Sequence, residues 1–174
     1  MYKSNFTYNM SLFIFGILLI SLNLNSSTVE ISKYNGNNTK TLLVKYGEQV
    51  FENEKCYKCH ALNDEDAKWG KKSLEAFGGK RTSAMISAFL DNPKILYPKT
   101  RMPSFAQLQH EQLNKNTLKT VLSEDPISDT ELEIAWKTIN KQADELTKTI
   151  NLDKAVEHKK SSQTALIAFL QSLP

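Results

Sequence analysis

The stretch Cys56-Tyr57-Lys58-Cys59-His60 decides how this sequence is interpreted. It has the form Cys-x-x-Cys-His, which is the attachment signature of a c-type haem. Two thiols at this spacing can add to the two vinyl groups of one porphyrin, and the histidine that follows can supply an imidazole nitrogen to the iron. The chain of 174 residues has only these 2 cysteines. We therefore expect one covalently bound haem c, held by Cys56 and Cys59, with His60 as an axial ligand of the iron.

Three other interpretations of the motif remain open, although each fits less well. A redox dithiol of the thioredoxin kind normally follows a strand, whereas the residues before Cys56 have the spacing of a helix. A tetrahedral zinc site takes four protein ligands, and His110 and His158 lie far from the motif in sequence. A disulfide between Cys56 and Cys59 would close too short a loop to stabilise the fold much.

Length and composition point to one domain with room for an additional element. Glycine and proline are few, so most of the chain is predicted to be helical. The formal net charge is only +3, and no basic cluster is interleaved with aromatic residues. Nucleic-acid binding is therefore not expected.

The N-terminus is predicted to direct the chain out of the cytoplasm. Lys3 precedes a mainly apolar run at residues 10–24, which is short for a membrane span of about 20 apolar residues and suits the apolar core of a signal peptide. Residues 1–27 are therefore interpreted as a signal peptide or an N-terminal membrane anchor, and residues 28–40 as a linker. The haem domain is expected in the periplasm. If residues 1–27 are a membrane anchor, the domain is also expected to be attached to the inner membrane.

Two predicted helices lie at the ends of the domain. Apolar residues at helical spacing occupy residues 42–51 and again residues 164–173. Gly47 lies within the first helix, where glycine costs about 1 kcal/mol relative to alanine, so a second backbone is expected to pass close to it. Together with Phe51 and Phe169, this pattern resembles the crossing of the first and last helices in class I cytochromes c. The resemblance implies an all-α, class I cytochrome c fold.

In that family the second axial ligand of the iron is usually methionine. Outside the N-terminal segment the chain has Met85 and Met102. Met85 lies in a predicted amphipathic helix, where methionine often fills the core. Met102 lies in a predicted loop whose Arg-Met-Pro-x-Phe sequence resembles the distal-ligand loop of class I cytochromes, so Met102 is the expected ligand. His110 and His158 stay as alternatives.

Residues near the predicted middle helix are candidates for haem contacts. Two glycines at residues 78–79 allow a backbone to lie close to the porphyrin. Lys80 and Arg81 follow, and their charges suit the haem propionates. Either side chain is equally compatible with a solvated turn. Trp69 is expected to pack on the haem edge, to donate its indole N–H to a propionate, or to lie in the ordinary core.

Residues 106–162 form an expected helical insertion before the C-terminal helix. Ser128 and Glu131 have the spacing of a capping box, and a helix is predicted after them. Its apolar stripe consists of Leu132, Ala135, Ile139, Leu146 and Ile150. Residues 153–162 are polar and are predicted to be loop. The insertion is interpreted either as a cover for the haem domain or as a docking surface for a partner subunit.

The order of these features resembles the mono-haem subunit of cbb-type haem–copper oxidases over residues 41–174. The resemblance rests on the motif with its preceding helix, the Gly-Gly-Lys-Arg turn, the segment from Phe89 to Pro103, the capping box and the C-terminal helix. It implies oxidase subunits or other redox proteins as partners. The mono-haem subunit of nitric oxide reductase and a free or tethered carrier are further relatives that fit these features.

The expected function is electron transfer in a respiratory chain, as a carrier or as a subunit of a terminal oxidase. With His60 and Met102 both bound to iron, no coordination position is open for a substrate, so the chain is not expected to be an enzyme by itself. A haem-based sensor would need a labile distal site, against which the Met-Pro loop argues. A peroxidase usually needs a second haem or a distal acid–base pair, and neither is visible in the sequence.

Overall fold

Helices account for most of the regular structure. The computed structural model describes residues 41–75, 77–123, 127–150 and 160–174. Within these ranges there are six α-helices and three 3-10 helices. The α-helices are α1 (Leu42–Asn53), α2 (Ser83–Asp91), α3 (Pro93–Leu96), α4 (Lys115–Val121), α5 (Asp129–Ile150) and α6 (Ser162–Ser172). The 3-10 helices are Cys56–Lys58, Asp66–Trp69 and Ala106–Gln109.

The predicted crossing of the first and last helices is confirmed. Gly47 of α1 lies so close to α6 that a Cβ atom built on it would be 1.9 Å from the carbonyl oxygen of Ala165. Beside this point the rings of Phe51 and Phe169 pack with their centroids 5.4 Å apart and their planes tilted by 58°. Both side chains are buried. The missing side chain of Gly47 thus lets the two backbones approach and brings the aromatic pair into the core.

Two very short strands modify the expectation of a purely helical chain. Strand β1 (His60–Ala61) pairs in parallel with β2 (Lys72–Ser73), with His60 opposite Lys72. The Lys72 amide donates to the carbonyl of Cys59 at 2.8 Å, and the Leu74 amide donates to the carbonyl of Ala61 at 2.8 Å. The fold is mostly helical and consistent with a cytochrome c fold, and this strand pair fixes the chain directly after the motif.

Helices α4 and α5 lie in the segment predicted as an insertion, and its two ends meet. The Leu113 amide donates to the carbonyl of Lys160 at 3.0 Å, and the Ser162 amide donates to the carbonyl of Glu111 at 2.7 Å. Helix α5 packs against α1, α2, α4 and α6. The side-chain oxygen of Gln142 on α5 accepts a hydrogen bond from the Leu43 amide on α1 at 2.9 Å. This segment therefore covers the helices of the domain.

The start of α5 is as predicted, but its buried stripe differs in part. The Ser128 amide donates to Glu131 Oε2 at 2.9 Å, and the Glu131 amide donates to Ser128 Oγ at 3.2 Å, which is a capping box. Leu146 is only half-buried. The buried residues are Leu132, Ala135, Ile139, Ala143, Thr147 and Ile150. Helix α6 also begins at Ser162, with Ser161 as its N-cap, so the end of the predicted polar loop belongs to the last helix.

The predictions for residues 1–40 lie outside the described residues. Within the described ranges, no helix is both long and apolar enough to cross a membrane.

Candidate haem site

The motif begins where α1 ends. Glu54 closes α1, and Lys55 follows with a φ of 57°, in the left-handed region that non-glycine residues seldom occupy. This residue turns the chain into the 3-10 helix Cys56–Lys58, in which the Cys59 amide donates to the carbonyl of Cys56 at 3.1 Å. A single tight turn thus carries both cysteines directly after a helix, rather than after the strand that a thioredoxin-like dithiol normally follows.

No disulfide joins the two cysteines. Cys56 is half-buried and Cys59 is exposed. Burial, together with the negative charge of Glu54, raises the pKa of the Cys56 thiol to about 11. The raised pKa favours the protonated thiol at neutral pH, which makes Cys56 a poor thiolate nucleophile.

His60 is held by the strand pair and has an unused ring nitrogen. Its Nδ1 atom is buried and has no hydrogen-bond partner within the described structure. Burial lowers the pKa of the imidazole, and the charge of Lys72 lowers it too, while the Lys72 backbone opposes the shift only in part. A neutral imidazole with an unsatisfied buried nitrogen is the state that a metal ligand requires. The two thiols and this imidazole therefore fit the attachment of a haem c.

Met102 lies at a separate cleft of about 320 Å³. Met102 is half-buried, and its amide donates to Thr100 Oγ1 at 3.2 Å. The cleft is lined by Asn92, Pro93, Lys94, Thr100, Arg101, Met102, Pro103 and Ser104. Met85 is half-buried on α2 instead. The loop position predicted for Met102 is confirmed, and the attachment motif is not among the described residues that line this cleft.

Large apolar side chains are exposed next to this loop. Ile95 is 70% exposed, Tyr97 is 52% exposed and Leu96 is 40% exposed. The ring of Tyr97 packs edge-on against Phe89 of α2, with the ring centroids 5.7 Å apart. This edge of the protein therefore offers apolar surface close to Met102.

The turn before α2 places Lys80 and Arg81 at the surface. Both residues are exposed, and within the described chain neither side chain forms an ion pair. Gly78 has a packing role that the sequence did not indicate, since a Cβ atom there would lie 2.0 Å from the carbonyl oxygen of Leu173. Gly79 has a φ of 70°, which favours glycine. The structure does not describe the side chain of Trp69, and residue His158 also lies outside the described ranges.

Comparison with known proteins decides the family. Residues 61–174 match the family described as "Cytochrome C oxidase, mono-heme subunit/FixO". The chain belongs to the FixO family. As a FixO-family protein it carries one haem c and serves respiratory electron transfer as a subunit of a cytochrome c oxidase. The matched range begins directly after His60, so the Cys-x-x-Cys-His motif is an independent indication of the same cofactor. No curated protein matches the chain.

The remaining alternatives for the motif can be compared with the geometry of this FixO-family chain. Among the residues that the structure describes, no three His, Cys, Asp or Glu side chains come together as a metal site. His110 is exposed after the third 3-10 helix.

The sequence did not indicate the pairing of His60 with Lys72, nor the hydrogen bonds of Asp91 described below, because both join residues that are distant in sequence.

Proposed function

We propose that this protein carries electrons through one haem c whose iron is bound by His60 and Met102. The observation that carries the proposal is the half-buried His60 imidazole, which directly follows the two cysteines and has an unsatisfied buried Nδ1 atom. The described chain contains two methionines, Met85 and Met102, and of these Met102 is the one that lies outside a helix. A soft thioether opposite an imidazole favours ferrous iron and raises the reduction potential relative to two histidines.

The chain's own residues would hold and orient the cofactor rather than transform a substrate. Cys56 and Cys59 would fix the porphyrin to the end of α1, and the β1–β2 pair would hold the His60 ring in place. The bound haem supplies the ferric–ferrous couple. Lys80 and Arg81 would form charge-assisted hydrogen bonds with the propionates, which their exposed side chains support.

The organisation of the chain follows from this role. We propose that residues 1–27 export the chain or anchor it to the inner membrane, with residues 28–40 as a linker to a periplasmic haem domain at residues 41–174. The partners would be the other oxidase subunits. Residues 106–162 would be the insertion that distinguishes this domain from a smaller cytochrome. Within this insertion, one face of helix α5 covers the domain. Charged residues of α5 such as Lys137 and Lys141 are exposed and could face either solvent or a partner subunit.

The axial ligands can be tested by spectroscopy of two methionine variants. In protein that carries haem c, Met102→Ala should abolish the methionine-to-iron charge-transfer band and allow rapid carbon monoxide binding to the reduced form. Met85→Leu, the matched control, should keep the band and bind carbon monoxide as slowly as the parent protein. An unchanged band in Met102→Ala would refute the assignment. Rapid, stoichiometric carbon monoxide binding by the parent protein would favour a ligand-binding haem protein instead.

A further inference from the structure

The loop that carries Met102 is closed at its base by hydrogen bonds to the end of α2. The Phe105 amide donates to the carbonyl of Leu90 at 2.8 Å. The Ser104 hydroxyl donates to the carbonyl of Asp91 at 2.5 Å. Because Met102 lies only two residues before Ser104, these two bonds tie its backbone to the last turn of α2.

The side chain of Asp91 extends this closure to two further elements. Its Oδ1 atom accepts a hydrogen bond from Gln163 Nε2 of α6 at 2.6 Å, and its Oδ2 atom accepts one from Gln109 Nε2 in the third 3-10 helix. Gln163 has no exposed surface, and its Oε1 atom accepts a hydrogen bond from Ser87 Oγ at 3.0 Å. One carboxylate therefore joins α2, α6 and the segment that follows the Met102 loop.

We propose that Asp91 is a positioning residue for Met102, holding the loop so that the thioether reaches the iron. This inference rests on the proposed ligation by Met102. A thioether is a weak donor, so its bond to iron depends on how well the protein pre-positions it. Groups that hold a metal ligand in place typically change metal affinity by about 10- to 100-fold when they are altered. The Asp91 carboxylate would act in this way indirectly, by fixing the end of α2 whose backbone carbonyls close the loop.

The chemistry of this cluster requires a carboxylate at residue 91. An ionised aspartate has two acceptor oxygens, and both are used by amide donors, one from Gln163 and one from Gln109. Asparagine has only one acceptor oxygen, so in Asp91→Asn an amide group would face one of these donors. The shape of the side chain is kept while one hydrogen bond is replaced by a repulsive contact.

The test compares haem-loaded Asp91→Asn and Gln142→Leu, in the oxidised form for the methionine charge-transfer band and in the reduced form for carbon monoxide binding. Gln142→Leu is the matched control, because it removes a part-buried side-chain hydrogen bond between α1 and α5 that does not involve the Met102 loop. In Asp91→Asn we expect a weakened methionine charge-transfer band, a lower reduction potential and carbon monoxide binding at least tenfold faster than in the parent protein. Gln142→Leu should leave all three unchanged.

Two further variants keep the proposal falsifiable if Asp91→Asn folds poorly. Ser104→Ala removes only the hydroxyl at the base of the loop and should shift the same three properties in the same direction. Combining Asp91→Asn with Gln163→Glu again matches donors to acceptors and should recover part of the band. The proposal is overturned if a folded Asp91→Asn behaves like Gln142→Leu while Met102→Ala loses the band. If Asp91→Asn does not fold, the proposal is overturned when Ser104→Ala behaves like Gln142→Leu. If the parent protein itself lacks that band, the ligation by Met102 fails, and this inference fails with it.

Discussion

Replacing Gly47 with alanine is the most direct test of the packing that supports the haem site. The added methyl group would lie 1.9 Å from the Ala165 carbonyl oxygen and 2.8 Å from Phe169 Cβ. The nearest contact is about 1.5 Å shorter than ordinary van der Waals contact, and it is made with backbone that a rotamer change cannot move. Helices α1 and α6 must therefore separate at their crossing.

The expected cost follows from two opposing effects. Alanine is favoured over glycine within a helix by about 1 kcal/mol. Against this, overpacking costs about 1–3 kcal/mol and occasionally more, and a separation of an ångström forfeits much of the dispersion energy between Phe51 and Phe169. Because the clash is severe, the upper end of this range applies, and we expect Gly47→Ala to lower the free energy of unfolding by about 2 kcal/mol after the helix gain is subtracted, a large part of the stability of a typical domain.

Denaturant unfolding of the haem-loaded protein, followed by far-ultraviolet circular dichroism, measures this change. Gly70→Ala is a suitable control, because no atom lies within 4 Å of a Cβ built at Gly70 and the substitution meets only the cost of its φ of 87°, about 1 kcal/mol. If Gly47→Ala were as stable as the parent protein, the close approach of α1 and α6 would be refuted.

Further predictions concern individual side chains. Burial lowers the pKa of His60, so in the haem-free protein an NMR titration of the His60 ring should give a pKa below the ordinary value of about 6.5. A pKa at or above that value would contradict the effect of burial. Cys56 has a pKa of about 11. In the haem-free Cys59→Ser variant at pH 8, iodoacetamide should therefore alkylate Cys56 about tenfold or more slowly in the folded protein than in protein unfolded by urea. Equal rates in the two states would contradict the burial of Cys56. The buried Tyr46 hydroxyl accepts a hydrogen bond from the Asn114 amide at 3.0 Å. The Tyr46→Phe substitution should therefore lower the free energy of unfolding by about 1 kcal/mol. An unchanged free energy would show that this hydrogen bond contributes nothing to stability.

Local signals in the sequence were sufficient for the helices that frame the site. Helix α1 and the capping box at Ser128 depend on residues a few positions apart, so spacing alone indicates them. Gly47 was informative because a glycine inside a helix needs a reason. The stripe on α5 was predicted only in part, because hydropathy gives little weight to Ala143 and Thr147, although small side chains allow close packing.

Contacts between distant residues could not be predicted in the same way. Asp91 and Gln163 are 72 positions apart, and nothing in either segment indicates that their polar side chains meet. The strand pair that holds His60 has only two residues on each side, too few for an alternating pattern. Gly78 was predicted to let the backbone lie close to the porphyrin, whereas its close neighbour in the structure is the backbone of Leu173.

A visible absorption spectrum of protein made in a host that attaches haem c tests the central claim most directly. The oxidised and reduced spectra should be low-spin, and acid–acetone extraction should leave one haem on each polypeptide. In a Cys56→Ser, Cys59→Ser double variant the haem should be absent or extractable. Haem that is extracted from the parent protein, or a parent protein that contains no haem, would contradict covalent attachment at this motif.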